Sequence, residues 1–426
     1  MRYLALLLIT AAAGGAAPTF NKDVLPILQN RCQGCHRPGE IGPMPLLTYQ
    51  QARPWAKSIR EAVALKKMPP WFAVPGHSRF SNDLSLTQGE TDAILAWVDG
   101  GAPEGNAKDR PKPREFVQGW NIRKPDVELT MGSDFAVPAS GTIEYQYVVI
   151  PTGFTEDKWV EQVEVRPTYR ASVHHAVVFI RDLQSQWLRG EAQPGVPFTP
   201  PKRTPEGRPR NDIGGAGNEI LTIYTPGMVP DIWNPGIAKL IKAGSDLVFQ
   251  MHYTANGKSG VDHTRIGIVF AKTPPTERVM TMGPANMGFA IPPGDANFRV
   301  DAQRAAFVNP ARITSLFPHM HLRGKAFEYR LVEPTGETRT LLKVDPYKFN
   351  WQLAYKFETP VELKPGSRIE CTAWFDNSAN NPNNPDPKAT VRWGEQSWEE
   401  MVVGFLDVVF DAKMDRRAFF TPRRTE

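Results

Sequence analysis

Hydrophobic positions in the first hundred residues follow a helical spacing. A short apolar segment, residues 20–28, precedes a cysteine pair, and residues 86–100 (LTQGETDAILAWVDG) predict an amphipathic helix. Thr87 is placed to cap that helix, with Glu90 three residues later, which is the spacing of a capping box. Its predicted apolar stripe consists of Ile94, Leu95 and Val98. Residues 18–104 therefore predict a small all-α domain.

The pattern changes beyond residue 118. Short β-branched and aromatic segments alternate with turns that contain proline and glycine, which is typical of β-sandwiches. The clearest predicted strands are residues 143–150, 173–180, 246–253, 265–271 and 402–410. We therefore predict a multidomain chain in which a small all-α domain is followed by two all-β jelly-roll sandwich domains.

Proline-rich joints divide the chain. Residues 103–114 (PEGNAKDRPKPR) predict a linker, and residues 272–276 (KTPPT) divide the β-rich region into two similar lengths. Residues 194–218 predict an exposed loop. The predicted organisation is a signal at 1–17, an all-α domain at 18–104, a linker at 105–118, and β domains at 119–272 and 273–426.

The N-terminus has the features of a secretory signal. Arg2 is followed by an apolar run, residues 4–9, and by small residues, 13–17, that suit cleavage. The apolar run is far shorter than the ~20 residues of a spanning helix, and no other stretch approaches that length. We therefore expect a bacterial protein exported by a Sec-type signal, periplasmic or secreted, with no stable membrane span.

Composition narrows the functional classes. The net charge is only +5, and basic residues adjoin in short pairs such as Arg416-Arg417, so nucleic-acid binding is not indicated. The 40 prolines and 34 glycines favour strands and turns over long helices. Three cysteines are too few for a disulfide-rich scaffold.

Cys32, Cys35 and His36 form a C-x-x-C-H motif, at which c-type haem is attached. The two thiols bond to the haem vinyl groups, and the histidine supplies an imidazole to the iron. A zinc site would need more ligands nearby, and Cys371 is the only other cysteine. We therefore expect one covalently bound c-type haem, whose attachment outside the bacterial cytoplasm agrees with export.

The sixth iron ligand has several candidates. Residues 67–71 (KMPPW) lie where class I cytochromes c carry a distal methionine, which favours Met68. Met44 is an alternative, and His77 is a third, although a surface histidine is the simpler interpretation of His77. A short helix, the C-x-x-C-H motif, a downstream methionine and a final helix follow one another in residues 18–104. This order resembles that of a small cytochrome c domain.

Five of the eight histidines lie at three places in the β-rich region. His174 and His175 are adjacent, and because neighbouring strand side chains point to opposite faces, both can bind one metal only at a bulge or a strand end. His252 lies in a predicted strand, QMHY. His319 and His321 have the i, i+2 spacing that puts both imidazoles on one strand face. Each of these three histidine motifs is common outside metal sites when taken alone, but together they predict two metal sites.

Met401 indicates which metal to expect. A lone methionine is more often a core residue, but a thioether beside His319 and His321 favours Cu(I) over Zn(II). Three imidazoles suit either metal. We therefore predict two copper ions, and two redox-active coppers beside a haem would form an electron-transfer chain.

These motifs resemble the copper type II, ascorbate-dependent monooxygenases, the group of dopamine β-monooxygenase and peptidylglycine α-hydroxylating monooxygenase. The resemblance covers residues 120–415. His174 and His175 are similar to the His-His pair at the electron-transfer copper of the family. The QMHY segment is similar to the strand from which His252 would supply the third histidine.

The second half carries the other part of the resemblance. His319-x-His321 is similar to the His-x-His of the family at its oxygen-binding copper, and Glu400-Met401 to the Glu-Met that supplies its thioether. The resemblance implies two jelly-roll domains that face each other across a solvent-filled cleft, with one copper on each.

The chain departs from the family at several points. The amidating branch binds a peptide carboxylate with an Arg two residues before its His-x-His, and Phe317 stands there, so peptide amidation is disfavoured. Animal members are rich in disulfides, whereas Cys371 is expected to be a buried strand cysteine. They also lack a fused haem domain. His263 matches no motif and is expected at the surface.

The resemblance implies an exported copper-dependent monooxygenase that hydroxylates a C–H bond of a small organic substrate with O2. His319, His321 and Met401 would be its catalytic residues, and the fused haem would relay electrons from a periplasmic donor, either an ascorbate-like reductant, a quinol or a cytochrome. One alternative is a haem–copper electron-transfer or copper-binding protein without monooxygenase activity. Another is a zinc hydrolase with a fused cytochrome, against which Met401 and the haem argue.

Overall fold

The computed structural model describes residues 17–116, 119–201, 203 and 218–422. The chain forms two compact units. The first comprises Met1–Trp71 and Leu84–Phe116, and the second comprises Phe72–Asp83 and Val117–Glu426. The predicted signal, apart from Ala17, and most of the predicted loop at 194–218 lie outside the described residues.

Within the described ranges, all regular elements of the first unit are helices. They are a π-helical turn at Phe20–Val24, α1 at Leu25–Arg31, α2 at Tyr49–Ala52, a 3-10 turn at Arg53–Trp55, α3 at Ala56–Ala64, α4 at Gln88–Asp99 and a 3-10 turn at Ala107–Asp109. These helices are short, and α4 has 12 residues. No helix in the described part of the chain is both long and apolar enough to cross a membrane.

Helix α4 begins as its sequence predicts. The Thr87 hydroxyl accepts the N–H of Glu90 at 3.2 Å, and the Glu90 carboxylate accepts the N–H of Thr87 at 2.8 Å, which completes the capping box. Ile94 of the predicted stripe is fully buried, together with Trp97, which the stripe omits. The Trp97 ring packs against Phe20, so a large aromatic residue anchors this helix.

Residues 103–114, predicted as a linker, are held against the first unit. Arg110 Nε donates to Asn21 Oδ1 at 3.1 Å, and Arg114 Nη1 donates to the carbonyl of Gln29 at 2.8 Å. The polar side chains that made this segment resemble a free spacer therefore bind it to the helices.

The second unit consists mainly of β-strands. Within the described residues they are β1 Val127–Thr130, β2 Phe135–Val137, β3 Gln146–Pro151, β4 Lys158–Arg166, β5 Val173–Arg181, β6 Glu219–Tyr224, β7 Asp231–Ile232, β8 Ile237–Ile241, β9 Asp246–Tyr253, β10 Gly260–Asp262, β11 Arg265–Phe270, β12 Glu277–Met282, β13 Ala290–Ile291, β14 Phe298–Gln303, β15 Ala311–His319, β16 Gly324–Val332, β17 Thr338–Val344, β18 Tyr355–Leu363, β19 Arg368–Phe375, β20 Val391–Arg392 and β21 Val403–Asp411. A short helix, α5 at Arg416–Phe419, follows them. All five strands predicted above are present, as β3, β5, β9, β11 and β21.

A sheet of 13 strands runs through the second unit. Its main path is β1-β11-β4-β8-β12-β6-β5-β9-β3, with β7 beside β4 and with β21, β15 and β18 branching in turn from β12. The other strands form a four-stranded sheet, β14-β19-β16-β17, and the pairs β2-β10 and β13-β20. Because β12 pairs with both β6 and β8, strands from either side of the predicted boundary at 272/273 share one sheet.

Residues 72–83, predicted within the all-α domain, pack in the second unit, and we call them the strap. Val74 N donates to the carbonyl of Lys343 in β17 at 2.8 Å. The ring of Phe80 packs against Phe357 of β18, with 5.3 Å between the ring centroids. The strap therefore forms isolated β-bridges with β17 and β18, each of which pairs with only one other strand.

Strands β5 and β9 pair in the interior of the large sheet. Every residue of both strands is buried, which agrees with their nearly continuous apolar sequences. The polar exceptions are buried as well, and they are His174, His175 and Arg181 in β5 and Asp246, Gln250 and His252 in β9.

Candidate metal centre

His174, His175 and His252 are brought together by β5 and β9. His175 stands opposite His252 in the antiparallel ladder, and the register shifts between Val173 and His175. This bulge is the irregularity that two adjacent histidines require in order to face one point. The rings of His174 and His175 are 5.4 Å apart, and both lie within 4.9 Å of the His252 ring.

Each of these three imidazoles uses Nε2 for a hydrogen bond to the protein. The partners are the carbonyl of Phe349 for His174 (3.0 Å), the hydroxyl of Tyr145 for His175 (3.1 Å) and the hydroxyl of Ser397 for His252 (2.9 Å). The Nδ1 atoms of His174 and His175 are 3.2 Å apart, and Nδ1 of His252 is buried without a hydrogen-bond partner. One ligand atom from each histidine lies within 4.8 Å of the others, so the donor set fits a metal ion.

His319 and His321 form a second pair at the end of β15. The strand ends at His319, so His321 follows in the extended segment beyond it, and the rings are 5.2 Å apart. His319 Nδ1 donates to Gln352 Oε1 at 2.6 Å, and His321 Nδ1 donates to the carbonyl of Glu399 at 3.2 Å. His321 Nε2 is buried without a hydrogen-bond partner. This pair therefore offers Nε2 to a metal, the opposite nitrogen from that of the first three histidines.

We call His174, His175 and His252 the first set, and His319 and His321 the second set. Burial lowers the pKa of His174 and of His319 to about 4, and it holds the pKa of His321 well below its usual range. Burial and the neighbouring imidazoles hold the pKa of the other two well below 6.5. All five side chains are therefore neutral at physiological pH, the form that binds metals.

Met401 is buried in an apolar cluster that also contains Phe317 and Phe405. The rings of these two phenylalanines lie 6.5 and 6.2 Å from the ring of His319. Met401 therefore belongs to the same apolar cluster as two phenylalanines whose rings lie beside His319.

Glu400, next to Met401, is fully buried. Its carboxylate accepts the N–H of His321 at 2.8 Å and that of Arg323 at 2.6 Å. Burial raises the pKa of Glu400 to about 8, although these amides and the Arg323 charge act in the opposite direction. Arg323 is buried too, and Nη1 donates to the carbonyl of Trp398 at 2.8 Å. This network holds the turn after β15 against the segment that carries Met401.

The two sets adjoin. The rings of His175 and His319 are 5.6 Å apart, and all five histidines are buried, with at most 7% of each exposed. The solvent-filled cleft implied by the resemblance is therefore closed in this structure. The physical reason is that residues 345–354 and 394–401 each hydrogen-bond to both sets: the former through Phe349 and Gln352, the latter through Ser397 and Glu399.

The haem motif follows α1 in the first unit. Cys32 and Cys35 form no disulfide, and burial raises the pKa of the Cys32 thiol to about 12. His36 Nδ1 donates to the carbonyl of Met44 at 3.1 Å, which leaves Nε2 available as a ligand. Met68 follows α3 and is half-buried.

Three residues were expected to lie outside the two histidine sets, and they are Cys371, His263 and His77. Cys371 is buried in β19, as expected of a strand cysteine. His263 is partly exposed and bonds to Asp134 at 2.8 Å, and His77 is exposed in the strap.

Several residues of the site have no signal in the sequence. Four of them contact the histidines from other parts of the chain, and they are Tyr145, Phe349, Gln352 and Ser397. The fifth, Arg323, donates its N–H to the Glu400 carboxylate. Only Arg323 and Ser397 lie close to a motif, the former two residues after His321 and the latter four before Met401.

Comparison with known proteins agrees with part of the resemblance. Residues 277–414 match the family profile described as copper type II ascorbate-dependent monooxygenase, C-terminal domain, and this range includes His319, His321 and Met401. The resemblance is therefore confirmed for the C-terminal domain, whose family consists of copper-dependent oxidoreductases that use O2, a substrate and ascorbate. The matched range does not include residues 18–104, so the fused cytochrome c domain stays a prediction. No curated protein matches the chain.

Solved structures with some similarity are remote. The major capsid protein P2 from bacteriophage PM2 is 10% identical, with a TM-score of 0.26, over 69% of this chain and 99% of that chain. A structure of PNGF-II is also 10% identical, with a TM-score of 0.26, over 67% of this chain and 65% of that chain. Such low TM-scores have no bearing on fold or function.

Proposed function

Because residues 277–414 are a copper type II, ascorbate-dependent monooxygenase C-terminal domain, we propose that the whole chain is an exported copper monooxygenase. It would hydroxylate a C–H bond of a small organic substrate. One atom of O2 enters the product and the other leaves as water, with two electrons and two protons supplied from outside the substrate. The observation that carries this proposal is the buried centre of five neutral histidines, in which hydrogen bonds to other parts of the protein occupy Nε2 in the first set and Nδ1 in the second.

The chain's own residues prepare both sets for a metal. In the first set, hydrogen bonds to Nε2 orient His174, His175 and His252 so that Nδ1 faces the common point. In the second set, Gln352 and Glu399 hold Nδ1, which leaves Nε2 for the metal. Copper bound there would supply one-electron redox chemistry and O2 binding, and a thioether from Met401 would favour its reduced state.

Water exclusion is the second contribution of the protein. All five histidines are buried beneath the segments 345–354 and 394–401. A closed site protects a reactive oxygen species from side reactions with solvent. Substrate must therefore reach the second set through an opening of one of these segments, and the aromatic side chains of Phe317 and Phe405 favour an apolar substrate beside His319.

A c-type haem in the first unit is part of the proposal. Cys32, Cys35 and His36 have the required order, and the bond from His36 Nδ1 to the carbonyl of Met44 leaves the Nε2 lone pair for iron. The same bond holds Met44 on the side of His36, which supports Met68 as the opposite ligand. The haem would relay electrons from a periplasmic donor, such as an ascorbate-like reductant, a quinol or a cytochrome.

We also propose three features of the fold and location of the protein. They are cleavage of residues 1–17, a periplasmic or secreted location, and two jelly-roll domains within the β-rich unit. The runner-up function is a haem–copper electron-transfer or copper-binding protein with the same ligands and no oxygenation. A zinc hydrolase is disfavoured by the thioether at Met401.

Incorporation of an oxygen atom from O2 into a product distinguishes a monooxygenase from an electron-transfer protein. The copper-loaded protein would be reduced with ascorbate and exposed to ¹⁸O2 in the presence of a panel of small apolar compounds. We expect a product that carries one ¹⁸O atom, and no such product from His319→Ala. Reoxidation of the protein without any labelled product across the panel, together with full copper loading, would favour the electron-transfer function.

A further inference from the structure

A continuous hydrogen-bonded path links the two histidine sets through Gln352. His319 Nδ1 donates to Gln352 Oε1 at 2.6 Å, and Gln352 Nε2 donates to the carbonyl of Phe349 at 3.3 Å. The same carbonyl accepts Nε2–H of His174 at 3.0 Å. One carboxamide and one peptide carbonyl therefore connect an imidazole of the second set to an imidazole of the first.

The position of Gln352 is firmly determined. The residue is 1% exposed, and its main-chain carbonyl accepts the hydroxyl of Thr225 at 2.6 Å. Its second amide hydrogen points to the carbonyl of Met320, 3.5 Å away, between the two histidines of the second set. The ring of Phe349 stacks on that of His174, with 4.2 Å between centroids. Both ends of this path are therefore held in place by packing and hydrogen bonds.

We propose that Gln352 is a positioning residue that couples the two metal sites. A metal on Nε2 of His319 makes its Nδ1–H a stronger donor, which polarises the Gln352 amide and strengthens the pull of Gln352 on the Phe349 carbonyl. That carbonyl orients His174, whose Nδ1 faces the metal of the first set. Occupation of one set therefore changes the affinity of the other, and by reciprocity the effect is equal in both directions. This inference rests on the proposed function, since it needs a metal at each set.

The coupling is measurable by comparing the wild-type chain with a variant whose second set is disabled. Cu(I) alone would be titrated against a chromogenic chelator, first into the wild-type chain and then into His321→Ala, which disables the second set but keeps the path. We expect the first set to bind Cu(I) at least about fivefold differently when the second set is occupied. Equal affinities in the two proteins would overturn the proposal. Fewer than two coppers in the wild type would instead refute the two-metal function itself.

Gln352→Leu tests the path directly. Outer partners of metal-bound histidines commonly change affinity by about 10–100-fold. In the His321→Ala background we expect Gln352→Leu to weaken Cu(I) binding to the first set by about tenfold, although Gln352 contacts no residue of that set. The His174 Nε2–H proton resonance of the Cu(I) form, which is diamagnetic, should shift. An unchanged affinity and an unchanged resonance would overturn the proposal.

Two further variants separate coupling from a general loss of structure. Thr225→Val removes the hydroxyl that binds the main chain of Gln352 and leaves the amide path intact, so we expect first-set affinity to change by less than about twofold. Gln352→Met matches the native side chain in length and replaces the leucine variant if that variant fails to fold, as judged by thermal denaturation of the metal-free chain. When the same Gln352 variants are made in the otherwise wild-type chain, a loss of Cu(I) affinity confined to the second set would contradict the coupling.

Discussion

The imidazole rings of His175 and His319 lie 5.6 Å apart and nearly perpendicular to each other. The two residues come from β5 and β15, which belong to the same 13-stranded sheet. Because both strand ends are covered by the segments 345–354 and 394–401, the two histidine sets form one buried centre. Metals bound there would be separated by protein groups instead of by a solvent-filled cleft.

Tyr145 is expected to support metal binding by the first set. Its hydroxyl bonds to His175 Nε2, and its ring stacks on His252 at 4.7 Å. Tyr145→Phe keeps the stacking and removes the hydrogen bond, so we expect Cu(I) affinity of the first set to fall about tenfold. Chelator competition measures the change.

Tyr147→Phe is the matched control for that prediction. Tyr147 is also a buried tyrosine of this region, but its hydroxyl contacts Gln250 and Glu395 and no histidine. We expect the Cu(I) affinity of the first set in this variant to stay within about twofold of the wild type. Similar losses in both variants would show that the effect of Tyr145 is not specific to its bond with His175.

Glu400 is expected to stabilise the second set through the backbone. Glu400→Ala leaves the buried N–H groups of His321 and Arg323 without their acceptor, at a cost of about 1–3 kcal/mol each. We therefore expect the metal-free variant to unfold at lower denaturant concentration and the second set to lose affinity for Cu(I). A normal unfolding midpoint together with normal affinity would refute this role.

The strap is expected to contribute to the stability of the second unit. Asn82 Nδ2 donates to the carbonyl of Ala354 at 2.7 Å, and Asn82 Oδ1 accepts the N–H of Lys356 at 3.0 Å. Asn82→Ala should lower the free energy of unfolding by about 1–2 kcal/mol in urea denaturation. Ser81→Ala removes a single long and exposed bond to Lys356, so we expect a change below about 0.5 kcal/mol. An equal effect of the two substitutions would contradict the assignment of Asn82 as an anchor.

The proposed haem ligands predict distinct absorbance spectra for their variants. Cys35→Ser should lower the amount of covalently attached haem, because one of the two thioether bonds cannot form. Met68→Ala should alter the absorbance of the haem and allow added imidazole to bind the iron, whereas Met44→Ala should do neither. A spectrum that changes only in Met44→Ala would reverse the assignment of the sixth ligand.

The strands and the five histidines could be predicted from sequence because their signals are local. Alternation and apolar runs located β5 and β9, and the adjacency of His174 and His175 required the bulge that the structure contains. The i, i+2 spacing paired His319 with His321. Spacing along the chain was sufficient because the histidines of each pair are adjacent or two residues apart.

The closure of the site and its hydrogen-bond partners could not be predicted. Gln352 and Ser397 reach histidines that are distant along the chain, and an isolated glutamine or serine in a loop has no periodic pattern. The strap was assigned to the all-α domain because it lies between two predicted helical features, whereas its backbone hydrogen bonds are made to β17 and β18. These contacts arise from tertiary packing, which local patterns do not record.

Copper content is the most direct test of the two-set metal centre. The protein would be purified and its copper, zinc and iron measured by elemental analysis, alongside His252→Ala and His319→Ala. We predict two coppers per chain in the wild type and about one in each variant, with each loss confined to one set. Zinc in place of copper, or a copper content that neither substitution changes, would contradict the assignment.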